Sequence, residues 1–485
     1  YAGQRYQARF QLGQMDKIIG SRGYEASSKG RRTENWKAHS TDANSAYRGL
    51  LQRLRDRSRD LVRNSSTGSR AVQVITTNVV GKGIRGEVVG RNDTHTKQVS
   101  EAWAKWAETT ECDADGKNTF YGLQRLAMRT IVESGSVLIR KRRRRMNQTR
   151  TIPMQLQLLE PDFIDTTKNG KKGNNEIKQG VEINSVGLPV AYWIFNEHPG
   201  NTHGMRSLKS QRIPASEIVH VYRVDRIGQL HGVPWGAPVF VKVKDLDEFE
   251  DAQLVRQKIA ACFTAFIHDS SAAGDMRTGL DEGADNELVD TLEPGTIEIL
   301  PPGKEIKLAN PPGVQNYSEF TTAKNRSIAT GFDVPYEAIT GDYSQVNYSS
   351  ARMVYLQFGR DLDDWQHHML IPQMCGTCHG WFLEALSLMG VNTDGAHIKW
   401  VTPLRELIDP TKEIPAKIKA IRGGLTSQRR ALREMGHNPD EIYDEIEQDN
   451  KLLDEKGIIL DTDPRHVTAG GTLQKEEEEN DRDTD

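Results

Sequence analysis

Gly331-Phe332-Asp333-Val334-Pro335-Tyr336-Glu337-Ala338-Ile339-Thr340-Gly341-Asp342-Tyr343-Ser344-Gln345-Val346-Asn347-Tyr348-Ser349-Ser350-Ala351-Arg352 is the stretch whose reading decides the fold. Pro335 disfavours helix at Val334 and glycine is a favoured helix stop, so a helix beginning before Phe320 is expected to end at Gly331. A polar loop, 341–350, follows, and no Lys or Arg occurs between Arg326 and Arg352. From Ala351, apolar Met353, Leu356, Leu362, Trp365 and Met369 recur at helical spacing as far as Pro372, which predicts a kink or a break there.

Asp333 to Ser344 followed by Asn347-Tyr348-Ser349-Ser350-Ala351-Arg352 resembles the tunnel-loop region of the lambda-like family of tailed-phage portal proteins. Further segments are similar to that family and follow its order: Arg31-Arg32-Thr33-Glu34-Asn35-Trp36, Leu54-Arg55-Asp56-Arg57-Ser58-Arg59-Asp60-Leu61-Val62-Arg63-Asn64, Val79-Val80-Gly81-Lys82-Gly83-Ile84-Arg85, Leu159-Glu160-Pro161-Asp162 and Gly228-Gln229-Leu230-His231-Gly232-Val233-Pro234-Trp235. The resemblance implies an α+β portal fold with a mixed wing, long stem helices, a small β-containing clip and a helical crown. It also implies a homo-oligomeric ring of about twelve copies at one capsid vertex. Double-stranded DNA would pass through it without sequence preference. Its implied partners are terminase, the major capsid protein and tail adaptor or head-completion proteins. Its implied location is the virion, and the host cytoplasm during assembly. Tyr343, Ser344, Gln345, Asn347 and Tyr348 would then face DNA in the channel.

Composition sets independent limits. The chain has 485 residues and 36% hydrophobic content, enough for real cores and for roughly two to four domains. It has no run near the ~18 uninterrupted apolar residues of a membrane helix, and Tyr1-Ala2-Gly3-Gln4-Arg5 opens without an apolar signal segment, so a soluble protein with no membrane partner is expected. The formal net charge is −3, but residues 1–150 hold 30 Lys+Arg against 14 Asp+Glu, leaving 34 against 53 for the rest. The basic first third therefore points to nucleic acid or to acidic surfaces of neighbouring subunits.

The order expected along the chain is an arm at 1–45 that orders on a neighbour, a wing at 46–238, a stem helix at 239–268, a clip at 269–313, and a second stem helix at 314–333. The tunnel loop at 334–350, a kinked helix at 351–402, a helical crown at 403–463 and an acidic tail at 464–485 complete it. The tail holds Glu476-Glu477-Glu478-Glu479 with Asp481, Asp483 and Asp485, and buries too little apolar surface to order alone. In the wing, helices are expected at 46–64 and 99–108. A hairpin of 136–144 with 149–162 and strands at 181–184, 189–195 and 218–222 predict a small twisted sheet or barrel. In the stem, Leu246, Phe249, Ile259, Phe263 and Phe266 form a helical stripe expected to pack between copies. Two short strands, 295–300 and 304–308, joined by Pro301-Pro302-Gly303, are expected in the clip.

Several chemical signatures have ordinary readings. Cys375-Gly376-Thr377-Cys378-His379 fits a haem-attachment or half-zinc pattern, but no second C-x-x-C accompanies it, so packed helix cysteines in a reducing compartment are the better reading and neither metal nor cofactor is expected. Gly81-Lys82-Gly83-Ile84-Arg85-Gly86 fits G-x-G-x-x-G, yet a strand-like run follows where a phosphate loop needs a helix, so it reads as a turn entering a sheet. No G-x-x-x-x-G-K-[ST] occurs.

Asp361, Asp363, Asp364, His367 and His368 could hold a metal in a packaging nuclease or terminase subunit, the alternative function. Solvated helix pairs explain their spacing more simply. Arg140-Lys141-Arg142-Arg143-Arg144-Arg145 is either a sequence-blind nucleic-acid patch or a hairpin tip that pairs with acidic groups of an adjacent subunit. Trp103, Trp106, Trp193, Trp235, Trp365 and Trp381 read as core or interface. The function expected is a DNA conduit without catalytic chemistry.

Overall fold

The structure is a computed structural model that describes residues 31, 34–36, 38–145, 152–202, 209–261, 265–269, 304–308, 317–405, 409–460, 463 and 465–466, with backbone alone at 259–261, 265–269 and 304–308. The arm up to residue 30, the expected strand at 295–300 with its Pro-Pro-Gly turn, Phe263 and the acidic segment beyond 466 lie outside these residues. The chain divides into two compact units. In the smaller, which groups residues before 49 with 226–229, Asp42 caps a single helical turn at Ala43–Ala46. Asn44 Nδ2 donates to the Gly228 carbonyl at 2.8 Å, and Arg226 donates to that of Thr41 at 2.9 Å.

The larger unit starts with α1 (Leu51–Asn64) and α2 (Ser66–Val80), separated by Ser65, whose hydroxyl accepts from the Gly68 N–H and caps α2. Gly81 ends α2 at φ +50, and the chain enters β1 (Arg85–Val89), so the glycine-rich run is the turn its context indicated. Helices α3 (Asp93–Ala107) and α4 (Phe120–Ser134) follow. Buried Gln124 of α4 accepts from the Ile84 N–H at 2.8 Å and donates to the Ile84 carbonyl at 2.9 Å, which satisfies both backbone groups beside the strand.

Strands β2 (Ser136–Arg143) and β3 (Met154–Leu159) form the expected antiparallel hairpin. The meander β4 (Gly170–Lys172), β5 (Asn175–Lys178), β6 (Val181–Ile183), β7 (Pro189–Phe195) and β8 (Ser210–Pro214) makes a second sheet, and β9 (Ile218–Tyr222) returns to pair with β2 in the order β3-β2-β9. One face of the three-stranded sheet, with Val137, Ile139, Met154, Leu156 and Val221, joins the main core. The other contributes Leu138, Leu159 and Ile218 to a second core with Val181, Tyr192 and Ile194.

Helix α5 (Phe240–Ala261) corrects the stem reading. It stops short of 268, and Ala265–Asp269 is a strand, β10, paired antiparallel with β11 (Lys304–Leu308), with Ile267 opposite Ile306. Phe266 therefore belongs to a strand pair and not to the helical stripe. A short run of aromatic and β-branched residues suits either period, and pairing with a strand remote in sequence decides it. Next come α6 (Tyr317–Gly331), α7 (Tyr336–Thr340) and α8 (Tyr348–Asp364). The chain does not break at Pro372. Residues Trp365–Cys375 form a π-helical segment that runs into α9 (Gly376–Ser387). Its wider turns relieve the clash of a proline ring with the carbonyl four residues back, and the Gly376 N–H reaches the carbonyl of Ile371, five residues back.

Strand β12 (His397–Val401) pairs with β1, and α10 (Pro410–Arg422), α11 (Gln428–Glu434) and α12 (Pro439–Lys456) complete the described chain. Arg433 of α11 holds Glu87 of β1 through two hydrogen bonds of 2.7 and 3.0 Å. Trp103, Trp106, Phe120, Phe382 and Trp400 meet edge-on or tilted in the main core, and Cys375, Cys378 and His379 are buried beside them, with burial holding the His379 imidazole down to about 4.

Two of the family-like motifs turn out to be one network. Arg55, 1% exposed, donates from Nε to the Ser134 carbonyl at 3.3 Å, while Arg59 pairs with buried Asp162 and, at 3.0 Å, with Glu160. Burial alone would raise the Asp162 carboxyl, but the Arg59 hydrogen bond and the charges of Arg55 and Arg59 outweigh it and hold it below its ordinary 3.8. A depressed carboxylate contributes stability that is complete above its unfolded pKa and is lost as pH falls through its folded one. D162N is expected to destabilise the chain at pH 7 by about 3 kcal/mol, because it leaves Arg59 without its buried partner. Urea unfolding of D162N against pH should also show a shallower loss of stability at acid pH than the unsubstituted chain.

Candidate DNA-channel interface

The segment quoted first is anchored at its base and presented at its tip. Phe332, Val334 and Ile339 are buried in the main core. Gly331 ends α6 without adopting the left-handed backbone of a glycine cap; its lack of a side chain admits Val239 instead. The left-handed residue is Asp333, at φ +57, and the Val334 N–H then reaches back to the Ala329 carbonyl at 3.1 Å. Pro335 opens α7, and Gly341, at φ +71, closes it by donating to the Glu337 carbonyl at 2.8 Å. Arg70 of α2 donates from Nε to the Ala338 carbonyl at 3.0 Å and so ties this turn to the body.

The loop itself is 341–347, shorter than expected. Asn347 is the N-cap of α8 in a reciprocal box: its Oδ1 accepts from the Ser350 N–H at 2.9 Å, and Ser350 Oγ accepts from the Asn347 N–H at 3.1 Å. Tyr348, Ser349 and Ser350 are thus the first helical turn. Asp342 accepts from the Ser344 N–H at 3.0 Å and lies near the Tyr336 hydroxyl at 3.4 Å, and its hydrogen bonds with Ser344 hold its carboxyl below 3.8. Tyr343, Ser344, Gln345 and Tyr348 are exposed. Lys412 of α10, held by Asp409 at 2.9 Å, lies within electrostatic reach of Tyr348 and Arg352, a neighbour that sequence order conceals.

The first ten residues of α8 stand clear of the core. Between 348 and 357 only Ala351 is even half-buried, and the exposed side chains include Met353 at 74% and Leu356 at 52%. From Phe358 onward the helix packs. Helices α5 and α6 behave similarly. Phe249 of α5 meets Tyr317 and Phe320 of α6, with ring centroids 5.9 and 4.8 Å apart, and Lys242 donates to Ser327 at 2.8 Å, so the two helices run antiparallel. Leu246 is buried, whereas Val241, Leu254 and Val255 are exposed on α5. The Ile259 side chain, like Phe263, falls outside the described residues.

The run of cations at 140–145 is split by strand alternation. Lys141 faces inward, 2.7 Å from Glu384 and over the Trp381 ring. Arg140 and Arg142 point to the opposite face, and Arg144 follows them, so the run is not one continuous patch. Asp361, Asp363, Asp364, His367 and His368 do not converge either: Asp363 is paired with Arg405, and His368 lies 4.0 Å from Asp364 on the solvent side. Trp103, Trp106, Trp235, Trp365 and Trp381 are buried, and half-buried Trp193 carries Lys168 and Lys172 over its ring.

The loop thus stands on a core-anchored base and is continued by a helix start that leaves Met353 and Leu356 exposed. Residues 29–366 match the family described as phage portal protein, lambda family, and the chain belongs to that family, which is structural rather than enzymatic. It is 26% identical to a probable portal protein of Halomonas phage phiHAP-1, over 89% of this chain and 86% of that one. It is 24% identical to the portal protein of Escherichia phage N15, covering 85% and 87%. With portal protein B of Escherichia phage lambda it shares 22%, covering 85% and 86%. Among solved structures, the virion of a native gene transfer agent particle contains a chain 16% identical, covering 84% of this chain and 98% of that one at a TM-score of 0.49, too low to add to the family match.

Asn347→Ala is expected to cost about 1 kcal/mol through loss of the cap. Amide exchange should show the loss as faster exchange at 348–352, with the core of α8 beyond Phe358 unchanged.

Proposed function

We propose that about twelve copies of this chain close into a ring at one capsid vertex, with the 341–347 loop lining the channel through which double-stranded DNA is packaged and ejected. Terminase, the capsid and tail adaptors are the partners of such a ring, and the virion is its location. The observation that carries the reading is the bare start of α8. Met353 and Leu356 are exposed on the single chain, and a neighbouring copy in a ring would cover them. A polar loop without Lys or Arg suits the same role. Phosphates held tightly at every copy would brake a sliding polyanion, whereas Tyr343, Ser344 and Gln345 offer weak hydrogen bonds to any backbone position.

Native mass measurement and negative-stain microscopy test the assembly. The unsubstituted chain should form rings, and M353D/L356D should fold with an unchanged unfolding temperature yet remain monomeric, since each copy would bury uncompensated charge at the interface. Intact rings from that variant would remove α8 from the subunit contact, and a monomeric parent chain would overturn the ring.

Transport is tested separately with Gln345→Lys, a change that leaves the Asn347 cap alone. Rings should persist while packaging or ejection slows most at low salt. The salt dependence of DNA affinity should steepen by about one log unit per log unit of salt for each loop that gains a phosphate contact. An unaltered rate and slope would place the loop away from DNA.

A further inference from the structure

We propose that α10 of one copy lies antiparallel along α12 of the neighbouring copy, apolar stripe to apolar stripe, with the cations of α10 set against the carboxylates of α12. This contact presupposes the ring proposed above and names two helices that help to close it. In the single chain neither helix is held along its length by a core. Helix α10 has no buried residue, and α12 buries only Pro439 at its start. A helix of 13 residues is marginal in water by itself, so α10 gains most from a surface to lie on. Ile414, Ile418 and Ile421 recur at steps of four and three and share one of its faces, with Ile414 and Ile418 exposed. Helix α12 carries a comparable stripe in Ile442, Ile446 and Leu453, with Ile446 exposed. Within one chain the two stripes leave each other uncovered.

Charge selects the partner. Residues 440–449 hold six carboxylates and no Lys or Arg, whereas residues 411–422 hold four cations and Glu413 as the lone carboxylate. Lys417 and Arg422 flank the α10 stripe on either side, and Glu445 and Asp449 border that of α12. The ion pairs that these helices make among the described residues are Lys412 with Asp409, Asp440 with Arg429, Glu447 with Lys451 and Asp454 with Arg465, and none of them uses those four residues. The acidic surface is also well founded. Arg429 of α11 pairs with Asp440 at 2.8 Å and lies over the Tyr443 ring at 5.3 Å, and Arg433 ties α11 to Glu87, so the start of α12 is fixed to the body while its stripe faces out. Antiparallel packing brings Ile421 to Ile442 and Ile418 to Ile446, lays the basic end of α10 along the acidic start of α12, and opposes the two helix dipoles. Parallel packing would instead set those cations beside Lys451 and Lys456. A contact that joins different surfaces of two copies generates a ring when its rotation closes.

The test is native mass measurement of rings on dilution. K417E/R422E should raise the concentration at which rings come apart by about fourfold or more, roughly twofold for each surface pair lost. E445K/D449K should do the same, and the two sets combined in one chain should return it to the parent value; failure of the combined chain to recover counts against the pairing. Because α10 has no buried residue, the K417E/R422E chain should unfold at the parent temperature. Rings of K417E/R422E as stable as those of the parent overturn the contact and leave the ring standing, whereas a monomeric parent overturns the ring reading and the contact with it. Unaltered rings that retain less DNA would make α10 a nucleic-acid surface, which also overturns it. Register is read directly: in rings mixed from I418C chains and I446C chains, a bismaleimide should join the two kinds of chain into a linked pair that parent rings do not give, and absence of that product counts against the antiparallel register.

Discussion

Everything that presents the loop depends on a close approach around Trp235 and Gly236. The Trp235 N–H donates to the Val132 carbonyl at 3.1 Å, its ring meets Trp365 at 4.8 Å, and Arg223 lies over it at 4.5 Å. Gly236 has no room for a side chain between Phe332 and Phe240, just as Gly331 has none against Val239. The start of α5, the end of α6 and the π-helical segment therefore meet where side chains press against glycine backbone. Close packing there has little slack, since interiors pack at crystal density and an added methyl must displace its neighbours. A second approach reinforces it: Gly135, left-handed at φ +88 at the end of α4, lies against Gly232, where again no Cβ fits.

This rigid base explains how the structure can leave so much apolar surface bare at its tip. Helix α8 is held firmly from Phe358 onward, through Leu362, Trp365 and the π-helical turns, so its first turns can project without support of their own. The antiparallel pair α5 and α6 repeats the pattern, with Leu246 inside and Val241, Leu254 and Val255 outside. Projection of apolar helices from a fixed core costs solvation in the single chain, a cost that the proposed ring would recover.

Charge is organised by the same geometry. Arg55 and Arg59 are committed to internal work on Ser134, Glu160 and Asp162, and Arg433 to Glu87. Within the basic run at 140–145, the two-residue period of the strand turns Lys141 to Glu384 and sends Arg140 and Arg142 to the opposite face. Part of the positive charge of the first third of the chain is therefore structural, which a net count of cations cannot reveal.

The sequence by itself determined the helices around the quoted segment, the β2–β3 hairpin and the strands that follow it, the turn at Gly81, the burial of most tryptophans and the family, because each is set by local period, by backbone restriction at Gly and Pro, or by ordered motifs. Other features were settled only in the folded chain. Whether 265–269 continued a helix or formed a strand was decided by a partner at 304–308, since a short apolar run satisfies either period. Whether Pro372 broke its helix was decided by packing on both sides, which favours a widened π turn over an end. The loop's true limit was decided by the local hydrogen-bonded box of Asn347 and Ser350, the need for glycine at 236 and 331 by the side chains of Phe332 and Val239, and that at 232 by Gly135, because such a close approach is a property of two backbones and is written in neither one alone.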